Sequence, residues 1–116
     1  RLVDYLAMDI KGPLKKYQQI ASVEVDTSKI KRSIELIMAS GIKYEFRTTV
    51  ARSQLSLQDL VSVAKLIKQA RLYVLQPFIP IKTLAGPMRS EISYTPEEFS
   101  IIRANLEIEC PHVIVR

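Results

Sequence analysis

A chain of 116 residues, 47% hydrophobic and 25% charged, has the profile of a single domain with its own core and excludes a disordered tail. No apolar run approaches the roughly 18 to 20 residues of a membrane span, and the first residues lack the basic, apolar and small-residue order of a signal peptide, so the expected location is cytoplasmic. The net charge of +5 is carried by 17 scattered Lys and Arg without a basic run, which argues against a nucleic-acid partner and fits mild steering of anionic ligands or a plain surface.

The chain opens on "RLVDYLAM", an apolar segment with no leader, which reads as the start of an excised piece of a longer protein. Residues 3 to 10 form the first expected strand, halted by Gly12-Pro13, and Leu14 to Ile20 offer a short helical turn. Asp26, Thr27 and Ser28 provide caps, Ile30, Ile34, Ile37 and Met38 fall on one helical face, and Gly41 supplies a stop, so a helix is predicted over about 29–40. Residues 43–50, "KYEFRTTV", alternate around Tyr44, Phe46, Thr48 and Val50 as a second strand.

Ser56 and Asp59 then make a capping-box variant ahead of an apolar stripe of Leu57, Leu60, Val61, Ala64 and Ile67, predicting a helix over 57–69. A third strand near 72–76 closes at Pro77. A polar loop follows with Gly86-Pro87, and Thr95, Pro96 and Glu98 open another helix. "HVIVR" reads as a fourth strand. Strand and helix alternate throughout, which implies an α/β fold: a parallel sheet of about four strands, right-handed crossovers, helices outside.

Ligands of such sheets bind beyond the carboxyl ends of the strands, where loops converge and helix N-termini point. Asp9 and Lys11 stand one residue apart at the end of the first strand and share a side of the sheet. Lys11 suits a carboxylate and Asp9 an ammonium or cation, or the two form a salt bridge on the rim. Arg47 points inward, toward a carboxylate such as Asp9 or a ligand, or else outward between helices. Gln76 can donate and accept at the end of the third strand. Phe78 can stack on a base or anchor the loop.

Tyr5, Tyr44 and Tyr73 are expected in the core or on the rim, Met8 and Met38 as core filler, Cys110 as a small buried residue, and His112 in a strand without a catalytic partner. One cysteine and one histidine make neither an internal disulfide nor a four-ligand zinc site, and no phosphate loop, nucleophile elbow or zinc helix occurs. No catalytic residue is assigned in the chain.

"MDIKGP", "YEFRTTV" and "YVLQPFIP", in this order and spacing, resemble the radical S-adenosylmethionine activating enzymes, especially the anaerobic ribonucleoside-triphosphate reductase activating proteins and pyruvate formate-lyase activating enzymes. The resemblance spans nearly the whole chain. It implies that residues 1–116 are one domain, the C-terminal half of a partial β/α barrel whose N-terminal half carries three cysteines binding a [4Fe-4S] cluster. In that family a 5′-deoxyadenosyl radical from S-adenosylmethionine abstracts hydrogen from a glycine of a partner, a glycyl radical enzyme.

The resemblance matches Asp9 and Lys11 to an Asp-x-Lys pair, with Lys11 facing the methionine carboxylate and Asp9 beside a monovalent cation. It places Arg47 near the cofactor, and Gln76 and Phe78 toward the adenosine. The chain departs from relatives at "ARSQLS", where Val-Pro-Gly is frequent, and at Ile79, where a basic residue is common.

Two functions compete. One is an activase fragment that is inert alone, because its cluster cysteines are absent. The other is a non-catalytic module that completes a barrel with another chain. In the half-barrel reading, the first strand is left with an unpaired apolar edge, which invites homo-oligomers.

Overall fold

The computed structural model describes residues 4–21, 24–78 and 93–116. Strands β1 (Tyr5–Asp9), β2 (Lys43–Val50), β3 (Tyr73–Pro77) and β4 (Val113–Val115) form one sheet in the order β1-β2-β3-β4. All three neighbouring pairs are parallel. Parallel neighbours require crossovers, and helices supply them. A 3₁₀ turn at Leu14–Lys16 leads into α1 (Tyr17–Ala21) and then α2 (Thr27–Ala39). Next come α3 (Leu57–Leu66) between β2 and β3, and α4 (Pro96–Leu106) before β4. The chain is thus an α/β protein with a four-stranded parallel sheet. No described helix is long and apolar enough to cross a membrane.

Local chemistry sets the helix starts. The Asp26 carboxylate accepts the Ser28 N–H, so α2 begins at Thr27, two residues before the expected start. Ser56 with Asp59 and Thr95 with Glu98 both form complete capping boxes, and Pro96 occupies the first turn of α4. Helix α2 gives way to Ser40 and then to Gly41 at φ +76, a left-handed backbone that favours glycine.

Helix α3 stops at Leu66, short of the expected 69. Gln69 takes φ +69 and donates its N–H to the Glu109 carbonyl at 3.1 Å, so a long-range bond ends the helix where the periodicity would have continued it. The strand expected from His112 to Arg116 is only Val113–Val115, and His112 lies exposed before it. Pro77 is the last residue of β3 itself, and the ladder continues through Phe78, whose N–H donates to the Val50 carbonyl. The expected Gly86-Pro87 loop and Ile79 lie outside the described residues.

The alternation of β2 divides the sheet into two faces. Tyr44, Phe46, Val50, Tyr73, Leu75 and Val113 join the helices' Ile34, Leu60, Val63, Ile67, Phe99 and Leu106 in one core. Leu6 and Met8 of β1 pack against that core only in part. The opposite face is left to Ala7, Asp9, Glu45, Arg47, Thr49, Val74, Gln76 and Ile114, none of which belongs to the core cluster.

Candidate functional site

Registry sets three of the candidate residues on one face. Asp9 lies directly across from Arg47, Arg47 from Val74, and Thr49 from Gln76, so Asp9, Arg47 and Gln76 share the face opposite the core. Lys11 follows two residues after Asp9, past the strand end, and is exposed. Phe78 is exposed as well, one residue beyond β3. Lys11, Thr49 and Phe78 line a cleft of about 310 Å³ at the carboxyl ends of the strands, together with Ile20, Ala21 and Gln54.

Backbone bonds hold the "MDIKGP" turn in place. Ile10 is fully buried, its N–H donates to the Arg47 carbonyl at 2.7 Å, and its own carbonyl accepts the Thr48 hydroxyl at 2.8 Å. With the single Thr48 hydrogen committed to Ile10, the Tyr73 hydroxyl is the donor in the Thr48–Tyr73 bond. Burial drives the Tyr73 phenol far above its ordinary value, so it remains a donor. Tyr17 adds a long bond of 3.4 Å from its hydroxyl to the Asp9 carbonyl. Gly12 is also buried. A Cβ there would come within 2.6 Å of Ile20 Cδ1 and 3.2 Å of Leu55 Cδ2.

The alternatives for Arg47 resolve in favour of the open face, though its carboxylate is Glu45 rather than Asp9. Arg47 Nε lies 3.5 Å from Glu45 Oε2, an ion pair without hydrogen-bond geometry, and that buried Nε has no hydrogen-bond partner among the described residues. Glu45 is the hub here. Its side chain is only 7% exposed; Oε1 accepts the Tyr5 hydroxyl at 2.8 Å and Oε2 accepts Arg116 at 3.2 Å. Burial first and the Glu45 bond second push the Tyr5 phenol above its ordinary value.

Asp9 and Lys11 form no ion pair with one another or with any other described residue. The salt bridge expected as one alternative on the rim is absent among the described residues. Sequence reasoning passed over Glu45 and Thr48. Glu45 could have been found as a charged residue flanked by Tyr44 and Phe46 at a central strand position, where a carboxylate demands partners.

Tyr44 and Tyr73 take core places, as expected, and Tyr5 joins the open face. Cys110 is buried, donates weakly to the Ala64 and Ile67 carbonyls at 3.6 Å each, and has its thiol pushed up to about 11 by burial. Among the described residues no group of three His, Cys, Asp or Glu is placed to hold a metal ion.

The chain is 31% identical over 103 residues to "Putative glycyl-radical enzyme activating enzyme MJ1227" of Methanocaldococcus jannaschii. The match covers 79% of this chain and 43% of that relative. No protein-family model matches the chain, and no solved structure matches it. The chain is distantly related to a protein named as an activating enzyme, and spans less than half of that relative's length.

Proposed function

We propose that the chain is the C-terminal, cofactor-orienting half of a radical S-adenosylmethionine activase acting on a glycyl radical enzyme. The observation that carries this reading is the placement of Asp9, Arg47 and Gln76 on the open face of a parallel sheet, with Lys11 and Phe78 lining a cleft at the carboxyl ends of its strands. The distant relationship supports the activase assignment. The partner, whether of the ribonucleotide reductase or the pyruvate formate-lyase type, belongs to this proposal.

These side chains fit the head group of S-adenosylmethionine. Lys11 and the outer nitrogens of Arg47 offer positive charge to a carboxylate, Asp9 offers an acceptor to an ammonium or a cation, Gln76 offers an amide, and Phe78 an exposed ring for a base. Bound there, the cofactor would supply the radical, and the role of this chain would be to fix its orientation. A [4Fe-4S] cluster does not fit the described residues, since the chain's one cysteine is enclosed in the core. In this proposal its ligands come from the other half of the barrel, which would also pair with the outer edge of β1.

Equilibrium binding of S-adenosylmethionine to the intact activase, reconstituted without oxygen, tests the reading. Lys11→Ala and Asp9→Asn should each weaken binding about tenfold or more, the loss expected for one charge-assisted contact. Unchanged affinity in both variants would remove the pair from the site and the proposal with it.

A further inference from the structure

Asp9 and Arg47 are opposite each other on adjacent strands, about 4.8 Å apart by ordinary sheet spacing, and yet they form no ion pair. Opposite charges so placed would ordinarily meet. The difference is Glu45, two residues before Arg47 and hence on the same side of β2. Its carboxylate is buried while Asp9 is exposed. A buried carboxylate is costly without partners and attracts a cation through a lower dielectric than a hydrated one does. Arg47 accordingly turns to Glu45, which also gathers Tyr5 and Arg116.

We propose that Glu45 is a positioning residue that diverts Arg47 from Asp9 and so keeps the Asp9 carboxylate free to receive a cationic group, an ammonium or a monovalent cation. The same ion pair draws the Nε edge of Arg47 toward Glu45 without a hydrogen bond. Its terminal nitrogens, which donate no hydrogen bond to any described residue, are left for an anionic group of the same ligand. Without the Glu45 charge, Arg47 swings across to Asp9, and the open face loses an acid and a base at once. This inference rests on reading the open face as a ligand site, but its principal test does not need the ligand.

The test is a set of double-mutant cycles read by urea unfolding of the full chain. With Glu45 intact, Asp9→Asn and Arg47→Met should be additive. In the Glu45→Gln background they should become non-additive, each single change hurting stability more than its addition to the other. Glu45→Asp should keep the additive behaviour, because it keeps the charge. A purely structural role gives the reverse order, since Gln preserves length and the Tyr5 bond whereas Asp does not.

Additivity in Glu45→Gln would overturn the proposal, and so would coupling of Asp9 to Arg47 with Glu45 intact. The latter arm decides even if the Glu45 variants do not fold. In the intact activase, S-adenosylmethionine should bind about tenfold more weakly to Glu45→Gln than to Glu45→Asp. Failure of the unmodified protein to bind S-adenosylmethionine would count against the proposed function, while the unfolding cycles would still decide the role of Glu45.

Discussion

Thr48 and Tyr73 join hydroxyl to hydroxyl inside the sheet, and through that bond the core reaches the turn that carries Lys11. Thr48 faces the core from β2, Tyr73 from β3, and the acceptor at the end of the relay is the Ile10 carbonyl at the end of β1. Three strands are thus pinned at one point. The backbone on either side of Ile10 presents Asp9 and Lys11.

Thr48→Val keeps the shape of the side chain but leaves the Ile10 carbonyl and the Tyr73 hydroxyl without partners. A loss of about 2 to 3 kcal/mol in unfolding free energy is expected from two buried groups losing their bonds. Tyr73→Phe in the Thr48→Val background should restore part of that stability, because it deletes one of the orphaned groups. Urea denaturation of the single and double variants checks this; simple additivity would show that the relay is not one unit.

A side chain at Gly12 would meet the ends of the Ile20 and Leu55 side chains. Gly12→Ala moves the flexible tip of the half-buried Ile20 aside and should cost about 1 kcal/mol or less. The nearest obstruction is Ile20 Cδ1, so adding Ile20→Val, which lacks that methyl, should recover much of the loss. Thermal or urea midpoints of the two proteins make the comparison, and no recovery would place the strain in the backbone turn.

Two capping boxes give the acid limb of stability a definite sign. Partial burial works to raise the Asp59 carboxyl, but the Ser56 backbone N–H and Lys16, 2.9 Å away, outweigh it and hold Asp59 below its ordinary value. Glu98 is lowered by the Thr95 backbone N–H. Each contribution is complete above the unfolded carboxyl value of about 4 and is lost as pH falls below it. Ser56→Ala should cost about 1 kcal/mol at neutral pH but leave most of the acid decline in place, because it keeps the backbone N–H and Lys16 that lower Asp59. Unfolding measured from pH 7 to pH 2 would show whether the two effects travel together.

The alkaline limb belongs first to Cys110. Its thiol is raised by burial from the ordinary value to about 11, so the unfolded chain releases the proton before the folded one does. Stability should therefore fall as pH rises from about 9 to about 11, at no more than about 1.4 kcal/mol per pH unit. Cys110→Ala should make the interval from pH 9 to pH 10 flatter. Tyr73, raised further by burial, adds to the decline above about pH 10. An unaltered slope in Cys110→Ala would exclude the thiol as its source.

The order of elements and their starts were legible because they depend on neighbours in sequence. Asp26, Ser56 and Thr95 cap from within one turn, Gly41 takes a left-handed backbone that favours glycine, and the alternation from Tyr44 to Val50 already specifies which side of β2 is apolar. The first strand's end at Asp9 was legible too, and the parallel topology then set Asp9 and the turn after it at the carboxyl rim.

What local pattern could not decide was which charge meets which. Arg47 had Asp9 as an obvious partner, opposite in sign and directly across the sheet, yet it pairs with Glu45 because burial differs between the two carboxylates. The early end of α3 depended likewise on a carbonyl delivered from the end of α4. Burial and long-range hydrogen bonds exist only once the strands have assembled, so sequence determined the scaffold and its polar rim, and tertiary structure decided how the charges on that rim are shared.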